Sequence, residues 1–325
     1  MTTDMTELDV VFISYDEDNA DENWADLLTK VPWAKRVHGV KGSDAAHKAA
    51  AQLSDTERFI SVDADNIVDP SFWDQKINFD HEKIKDCVVS WAALNAINHL
   101  QYGNGGLKCW PVSYVMQMRT HEAAEDETNQ VDFCWDGRYV QMNNRYCETY
   151  ANGSPRQAFR AGFREGVKMS LDRGVKADIN NFEKNVWWGN YHRLLVWSTV
   201  GRDVENGQWA IYGARLGCYL TTLTDWDFKN VRDFEWINDY WRSEVAPMFA
   251  GDQLKCHRTG YAWNEEKVIA EIAKLGERLR KELRLPLAEL DAIQSKFFKK
   301  TYIGLPRTGQ YVTEAEMNEL REFNR

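Results

Sequence analysis

The chain has 325 residues and a mass of 37.8 kDa, with 43% hydrophobic residues, 28% charged residues and a formal net charge of -10. That length buries a sizeable core in one large or two modest domains, and the composition is that of a globular protein, which excludes a mini-protein and a disordered tail. Apolar stretches such as Val10 to Ser14 and Leu194 to Trp197 fall well short of the roughly 18 residues a membrane span needs. The acidic N-terminus has no signal-peptide core, so the expected compartment is the cytoplasm.

The first 75 residues alternate between strand and helix. Val10 to Ser14 is a short β-rich run, and Asn19 stands where it can cap a helix whose first turn carries Asp21 and Glu22. Arg36 to Val40 forms a second strand, broken by Gly42-Ser43-Asp44 before an Ala-rich helix through Leu53. Arg58 to Val62 is a third. This alternation predicts an α/β fold, a Rossmann-like, mixed but mainly parallel sheet flanked by helices, with ligands beyond the carboxyl ends of the strands.

Further along, short strands are expected near Cys87 to Trp91 and Val112 to Met118, around a Gly103-Asn104-Gly105-Gly106 loop. Phe159, Phe163, Val167 and Leu171 recur every four residues, predicting a helix from about Arg156 to Leu171. Arg156, Arg160, Arg164 and Lys168 run beside them as a basic stripe. Trp209 to Tyr219 reads as a strand containing Gly213 and Gly217, and Glu265 to Leu285 as a long charged helix ended by Pro286. The expected division is 1–220 and a mainly helical 221–325.

Six cysteines (Cys87, Cys109, Cys134, Cys147, Cys218, Cys256) include no Cys-x-x-Cys pair, which argues against a zinc module or a disulfide framework. The 14 Trp, 13 Tyr and 14 Phe supply core area and flat faces for stacking on sugars or bases. Charge is uneven: the first 27 residues hold nine acids and no Lys or Arg, whereas residues 272 to 307 hold nine bases against four acids. A local patch of that kind engages polyanions even in an acidic protein. Arg278, Arg280, Lys281, Arg284, Lys296, Lys299, Lys300 and Arg307, interleaved with Phe297, Phe298 and Tyr302, are compatible with a nucleic-acid face, the plain alternative being a solvated helix.

The sharpest chemical signal is Ser61-Val62-Asp63-Ala64-Asp65-Asn66, where an apolar strand ends in two carboxylates two residues apart. Hard divalent cations take oxygen ligands, and such a strand end lets one Asp hold the metal while the other reaches it or a sugar hydroxyl. A phosphohydrolase with Asp63 as nucleophile and Asp65 as acid is the rival enzyme class, but two βα units precede this pair, where that class usually has none. A non-catalytic nucleotide-sugar or DNA-binding module is the rival outside enzymes.

The pattern resembles the GT-A class of nucleotide-sugar glycosyltransferases. Phe12-Ile13-Ser14-Tyr15-Asp16-Glu17 with Asn19, Glu22, Asn23 and Trp24, then Arg36 to Gly42 with Ala46-His47, Tyr102 to Lys108, and Phe163 to Lys168, are similar to phage-encoded glycosyltransferase-like proteins. Within that group they resemble the TET/JBP-associated glycosyltransferases and the related phage enzymes that modify hydroxymethylpyrimidines in DNA. Ser43 after Lys41-Gly42, and Asn104, depart from the usual pattern.

The resemblance implies transfer of an arabinose- or glucose-type sugar from a UDP-sugar to 5-hydroxymethylcytosine in phage DNA, with Mn²⁺ or Mg²⁺ held by Asp63 and Asp65. A protein or glycan acceptor is the alternative. It implies Tyr15 and Asp16 at the base and ribose, Arg36 and Lys41 at the diphosphate, and His38 and His47 in the pocket. Gly105 and Gly106 would bring backbone amides to the sugar or the acceptor, and Arg164 would meet the donor phosphates or nucleic acid. A later third metal ligand is expected, His192 rather than His257. Asp65, Glu165 and Asp225 are the catalytic candidates, with Glu148 a further possible base.

Overall fold

The computed structural model describes residues 2–102, 106–125, 136–251 and 263–302. Gly103, Asn104, Gly105, Cys134, Cys256, His257 and Arg307 lie outside the described residues. The chain divides into two compact units between Tyr150 and Ala151, so residues 151–220 group with the helical region that follows them.

In the first unit the chain runs β1 (Thr3–Asp4), β2 (Asp9–Ser14), α1 (Ala20–Lys30), β3 (Lys35–His38), α2 (Ser43–Leu53), β4 (Arg58–Asp63), β5 (Asn66–Val68), β6 (Lys76–Ile77), β7 (Val88–Asn95), β8 (Gln101–Tyr102), β9 (Leu107–Pro111), α3 (Val112–Gln117) and β10 (Tyr139–Thr149). The expected opening alternation is present. Gly42, at φ 98°, turns the chain into α2 where other residues would be strained. Strands pair in the order β3-β2-β4-β9-β7-β10-β5, with β8 on β7.

The sheet is mixed, as expected, but it is not mainly parallel. β2 runs parallel to β3 and β4, and β7 parallel to β10, but β9 lies antiparallel between β4 and β7, and β5 antiparallel on β10. Without a crossover helix between them, β7 and β9 pair as neighbours from a short return connection. β2 is buried on both faces: Val10 and Phe12 join Leu27 of α1 and Val31 just after it, while Val11 joins Ala50 and Ala51 of α2, which explains its unbroken apolar run.

Val112–Gln117 is helix α3, not a strand. Pro111 ends β9 at φ -65°, and burial of Tyr114 and Val115 outweighs the β-branched preference.

The second unit contains α4 (Pro155–Lys168), a hairpin of β11 (Leu171–Asp172) and β12 (Val175–Lys176), then α5 (Phe182–Asn185), α6 (Trp188–Trp197), α7 (Gly207–Leu223), α8 (Phe234–Tyr240), α9 (Ala246–Phe249), α10 (Glu265–Leu283) and α11 (Ala292–Thr301). The Phe159, Phe163, Val167 stripe of α4 is buried as expected, and Ser154 caps it by accepting from the Gln157 amide.

The strand expected at Trp209 to Tyr219 is a correction: it belongs to α7. Gly162 and Gly166 of α4 rest on the carbonyls of Ala210 and Ala214, and Gly213 and Gly217 of α7 rest on those of Phe159 and Phe163, leaving no room for a Cβ at any of the four. The four-residue glycine spacing is therefore the face on which two helix backbones meet, and packing supplies the stability that glycine takes away.

No helix among the described residues is long and apolar enough to cross a membrane.

Candidate functional site

β4 is buried through Val62, then delivers Asp63 half-buried at its carboxyl end. Its neighbours in the parallel part of the sheet end beside it: Ile13 pairs with Asp63 and Ser14 with His38. Tyr15 and Asp16 follow β2 directly, both half-buried. This is the edge at which open α/β sheets bind ligands.

The Ala64-Asp65 turn is held from several directions. Asn23 Nδ2 donates to the Ala64 carbonyl at 2.8 Å, and the Tyr150 amide donates to that of Asp65 at 2.6 Å. Asn66 Nδ2 donates to Asp65 Oδ1 at 2.7 Å, and Thr149 Oγ1 to Asn66 Oδ1 at 3.0 Å. Asn19 stands at the N-cap position of α1, but its side chain makes no cap bond and donates instead to the Tyr150 carbonyl at 2.7 Å. One turn of α1 separates Asn19 from Asn23, so both reach the same end of the sheet. β5 follows β4 after two residues yet pairs with β10, which returns Tyr150 to Asp65.

Gly106 closes the other side. The Asp63 amide donates to its carbonyl at 2.8 Å, and the Asp63 and Asn66 side chains occupy the space a Cβ there would need.

Arg36 Nη1 donates to Asp21 at 2.7 Å, its Nε donates to Ser14 Oγ at 3.0 Å, and its guanidinium lies 5.6 Å from the Phe12 ring centroid. Ser14 Oγ also meets His38 Nδ1 at 2.9 Å. Lys41 is exposed between β3 and α2. His47, buried on α2, donates from Nδ1 to the Ser43 carbonyl at 2.7 Å. Burial holds its pKa below the ordinary value, a shift that Asp63 opposes and Lys108 reinforces. Glu148 on β10 accepts from the Tyr150 hydroxyl at 2.9 Å.

The remaining candidates belong to the second unit. Arg164 and the buried Arg160 both lie over the Phe234 ring, at 4.5 and 5.0 Å from its centroid, so the expected open basic stripe is partly covered. Glu165 pairs with Lys168, and Asp225 is exposed after α7. His192 stacks on Tyr302 with centroids 5.8 Å apart, and its Nε2 meets the Tyr302 hydroxyl at 3.0 Å. Lys299, counted among the surface bases, is instead buried and paired with Asp203 at 2.7 Å.

For a divalent cation, the donors fit in a limited way. Among the described residues no group of three His, Cys, Asp or Glu side chains could hold a metal. Asp63 and Asp65 can offer hard oxygen atoms, which suits a cation shared with substrate phosphates and water rather than caged by protein alone. Asn66 and Lys108, which help complete this edge, carry no sequence signal beyond proximity to the Asp pair and the glycine loop, and Tyr150 carries none.

No protein-family model matches the chain, and a search of curated proteins finds no match. Among solved structures, it is similar to a glycosyltransferase involved in the glycosylation of the major capsid of PBCV-1, with 13% identity and a TM-score of 0.29 over 45% of this chain and 94% of that one. An overlap that shallow carries no argument about fold or chemistry.

Proposed function

We propose that the chain is a GT-A-type glycosyltransferase that moves a sugar from a UDP-sugar to the hydroxyl of 5-hydroxymethylcytosine in phage DNA. The observation that carries the reading is the Asp63–Asp65 turn, placed at the carboxyl ends of parallel strands and fixed there by Asn23, Asn66 and Tyr150. A preorganised carboxylate pair at that edge is suited to a cation bound jointly with a diphosphate. When bound, Mn²⁺ or Mg²⁺ supplies Lewis-acid stabilisation of the charge that develops on the leaving diphosphate.

In this reading Tyr15 and Asp16 hold the base and ribose, and the exposed Lys41 meets the diphosphate. Arg36, engaged with Asp21 and Ser14, orients the end of β2. His38 and His47 line the pocket, and Gly106 keeps Asp63 in place. Glu148 on β10, which accepts from the Tyr150 hydroxyl, is the carboxylate of this unit to test as the acceptor base.

A nucleic-acid acceptor draws on α11. Ile293, Lys296, Phe297 and Lys300 share one helical face, with Ile293 and Phe297 80% and 66% exposed. Cations beside an exposed ring suit a phosphate backbone with unstacked bases.

The experiment is incubation with Mn²⁺, a panel of UDP-sugars and hydroxymethylcytosine DNA, with unmodified DNA as control, followed by mass analysis of digested nucleosides. A sugar adduct that Asp63→Ala abolishes is expected. UDP release without a DNA adduct moves the acceptor to a protein or glycan; binding of UDP-sugar without turnover makes the chain a binding module. No nucleotide-sugar binding at all overturns the proposal.

A further inference from the structure

A cation is built into the sheet beside Asp63. Lys108 on β9 lies opposite Ser61 of β4 and opposite Ser90 of β7. Residues opposite one another share a face, and Asp63, two residues beyond Ser61, shares it too. Lys108 and Asp63 are therefore diagonal cross-strand neighbours, roughly 7–8 Å apart in the backbone, a span that a long side chain covers.

This row is buried. Lys108 is 3% exposed, and Ser61 and Ser90 are fully enclosed. Ser61 Oγ accepts from the Trp110 indole at 2.8 Å, the His47 ring lies edge-on to Trp110 with centroids 5.0 Å apart, and Ser90 Oγ is enclosed without a hydrogen-bond partner. The charges of Asp63 and Lys108 act in opposite senses on both His47 and Cys147, which places both groups within electrostatic reach of the same residues. Lysine is almost never so buried unless its charge is balanced.

We propose that Lys108 is a charge-balancing residue of the Asp63–Asp65 site, weakening its hold on a free divalent cation and strengthening its hold on an anionic diphosphate, so that cation and nucleotide bind together. The inference rests on the function proposed above. A fixed positive charge near the carboxylates repels a second cation and attracts an anion, and burial makes both effects stronger than at a solvated surface. The carboxylates are then preserved for metal that arrives with its phosphate ligands, and each ligand raises the affinity for the other by the same factor.

The test is calorimetric titration of the full chain with Mn²⁺ alone, with UDP alone in chelator, and with Mn²⁺ in the presence of UDP. In the wild-type protein UDP is expected to tighten Mn²⁺ binding by about tenfold or more, a typical coupling. Lys108→Met is expected to move the two separate affinities in opposite directions, Mn²⁺ tighter and UDP weaker, each by about tenfold, and Lys108→Arg to restore both. A merely structural role lowers both affinities together or changes neither, and either result overturns the inference. So does a wild-type protein that binds both ligands without coupling, a measurement that needs no variant to fold. A wild-type protein that binds neither Mn²⁺ nor UDP instead removes the proposed function itself.

Discussion

The side chain of Asp63 fills the space that a side chain on Gly106 would take, and the two residues are joined by a 2.8 Å bond from the Asp63 amide to the Gly106 carbonyl. Gly106→Ala is therefore expected to displace the Asp63 carboxylate. UDP binding in the presence of Mn²⁺ should fall by at least about tenfold, with a stability loss of about 1–3 kcal/mol typical of overpacking. Calorimetry and urea denaturation measure the two separately.

Asn23 is buried and donates to the Ala64 carbonyl at 2.8 Å. Asn23→Leu strands that carbonyl, and an unsatisfied buried acceptor costs about 1–3 kcal/mol. The expected result is a lower urea midpoint together with weakened Mn²⁺–UDP binding, because the carbonyl belongs to the turn between the two carboxylates.

Much of this edge was legible in the sequence. An apolar run that stops at Asp63-Ala64-Asp65 announces a strand end, and the βα alternation before it locates that end in a sheet. Asn19 and Asn23 were visible as residues but not as clamps, since their partners lie at Ala64 and Tyr150, and only the fold brings those together. Lys108 was hidden for the opposite reason: no strand was expected at Leu107 to Pro111, and its burial follows from β9 inserting between β4 and β7. The Trp209 to Tyr219 segment misled because small and aromatic residues suit a strand as well as a helix when the partner backbone is unknown.

That helix pair makes its own test. Gly213 of α7 lies on the Phe159 carbonyl of α4, where no rotamer change can make room. Gly213→Val is expected to cost about 3 kcal/mol or more, at the upper end for overpacking, seen as a shifted denaturation midpoint. Ser198→Ala, nearby in sequence but off this face, is the comparison and should stay within about 1 kcal/mol of wild type.

His47 sets a pH dependence. Burial lowers its folded pKa below the ordinary 6.5, so the unfolded chain takes up a proton that the folded chain refuses. The stability tied to neutral His47 is complete above about pH 6.5 and declines as pH falls below it. His192, held down by burial and then by Arg193, adds in the same direction. Thermal melts from pH 7.5 to 5 should show a falling midpoint, and His47→Phe, which keeps a ring against Trp110, should flatten part of that slope.

Lys299 and Asp203 form an ion pair with side chains only 7% and 9% exposed. Lys299→Met leaves a buried carboxylate uncompensated and is expected to cost about 3–5 kcal/mol, whereas adding Asp203→Asn should recover a large part of that loss. Denaturation of the single and double variants measures the difference.

The return of β10 to the Asp63–Asp65 turn also fixes when the site can exist. Tyr150 donates to the Asp65 carbonyl, and Asn66 pairs with Thr149, contacts between segments far apart in the chain. Such loops close slowly and against entropy. On a growing chain the first strands can pair as soon as they emerge, but the carboxylates acquire their final geometry only after Tyr150 has been synthesised and docked. The Asp63–Asp65 edge thus reaches its final geometry only with β10, the last strand of the sheet in the chain, and pairing of β2, β3 and β4 alone leaves it unset.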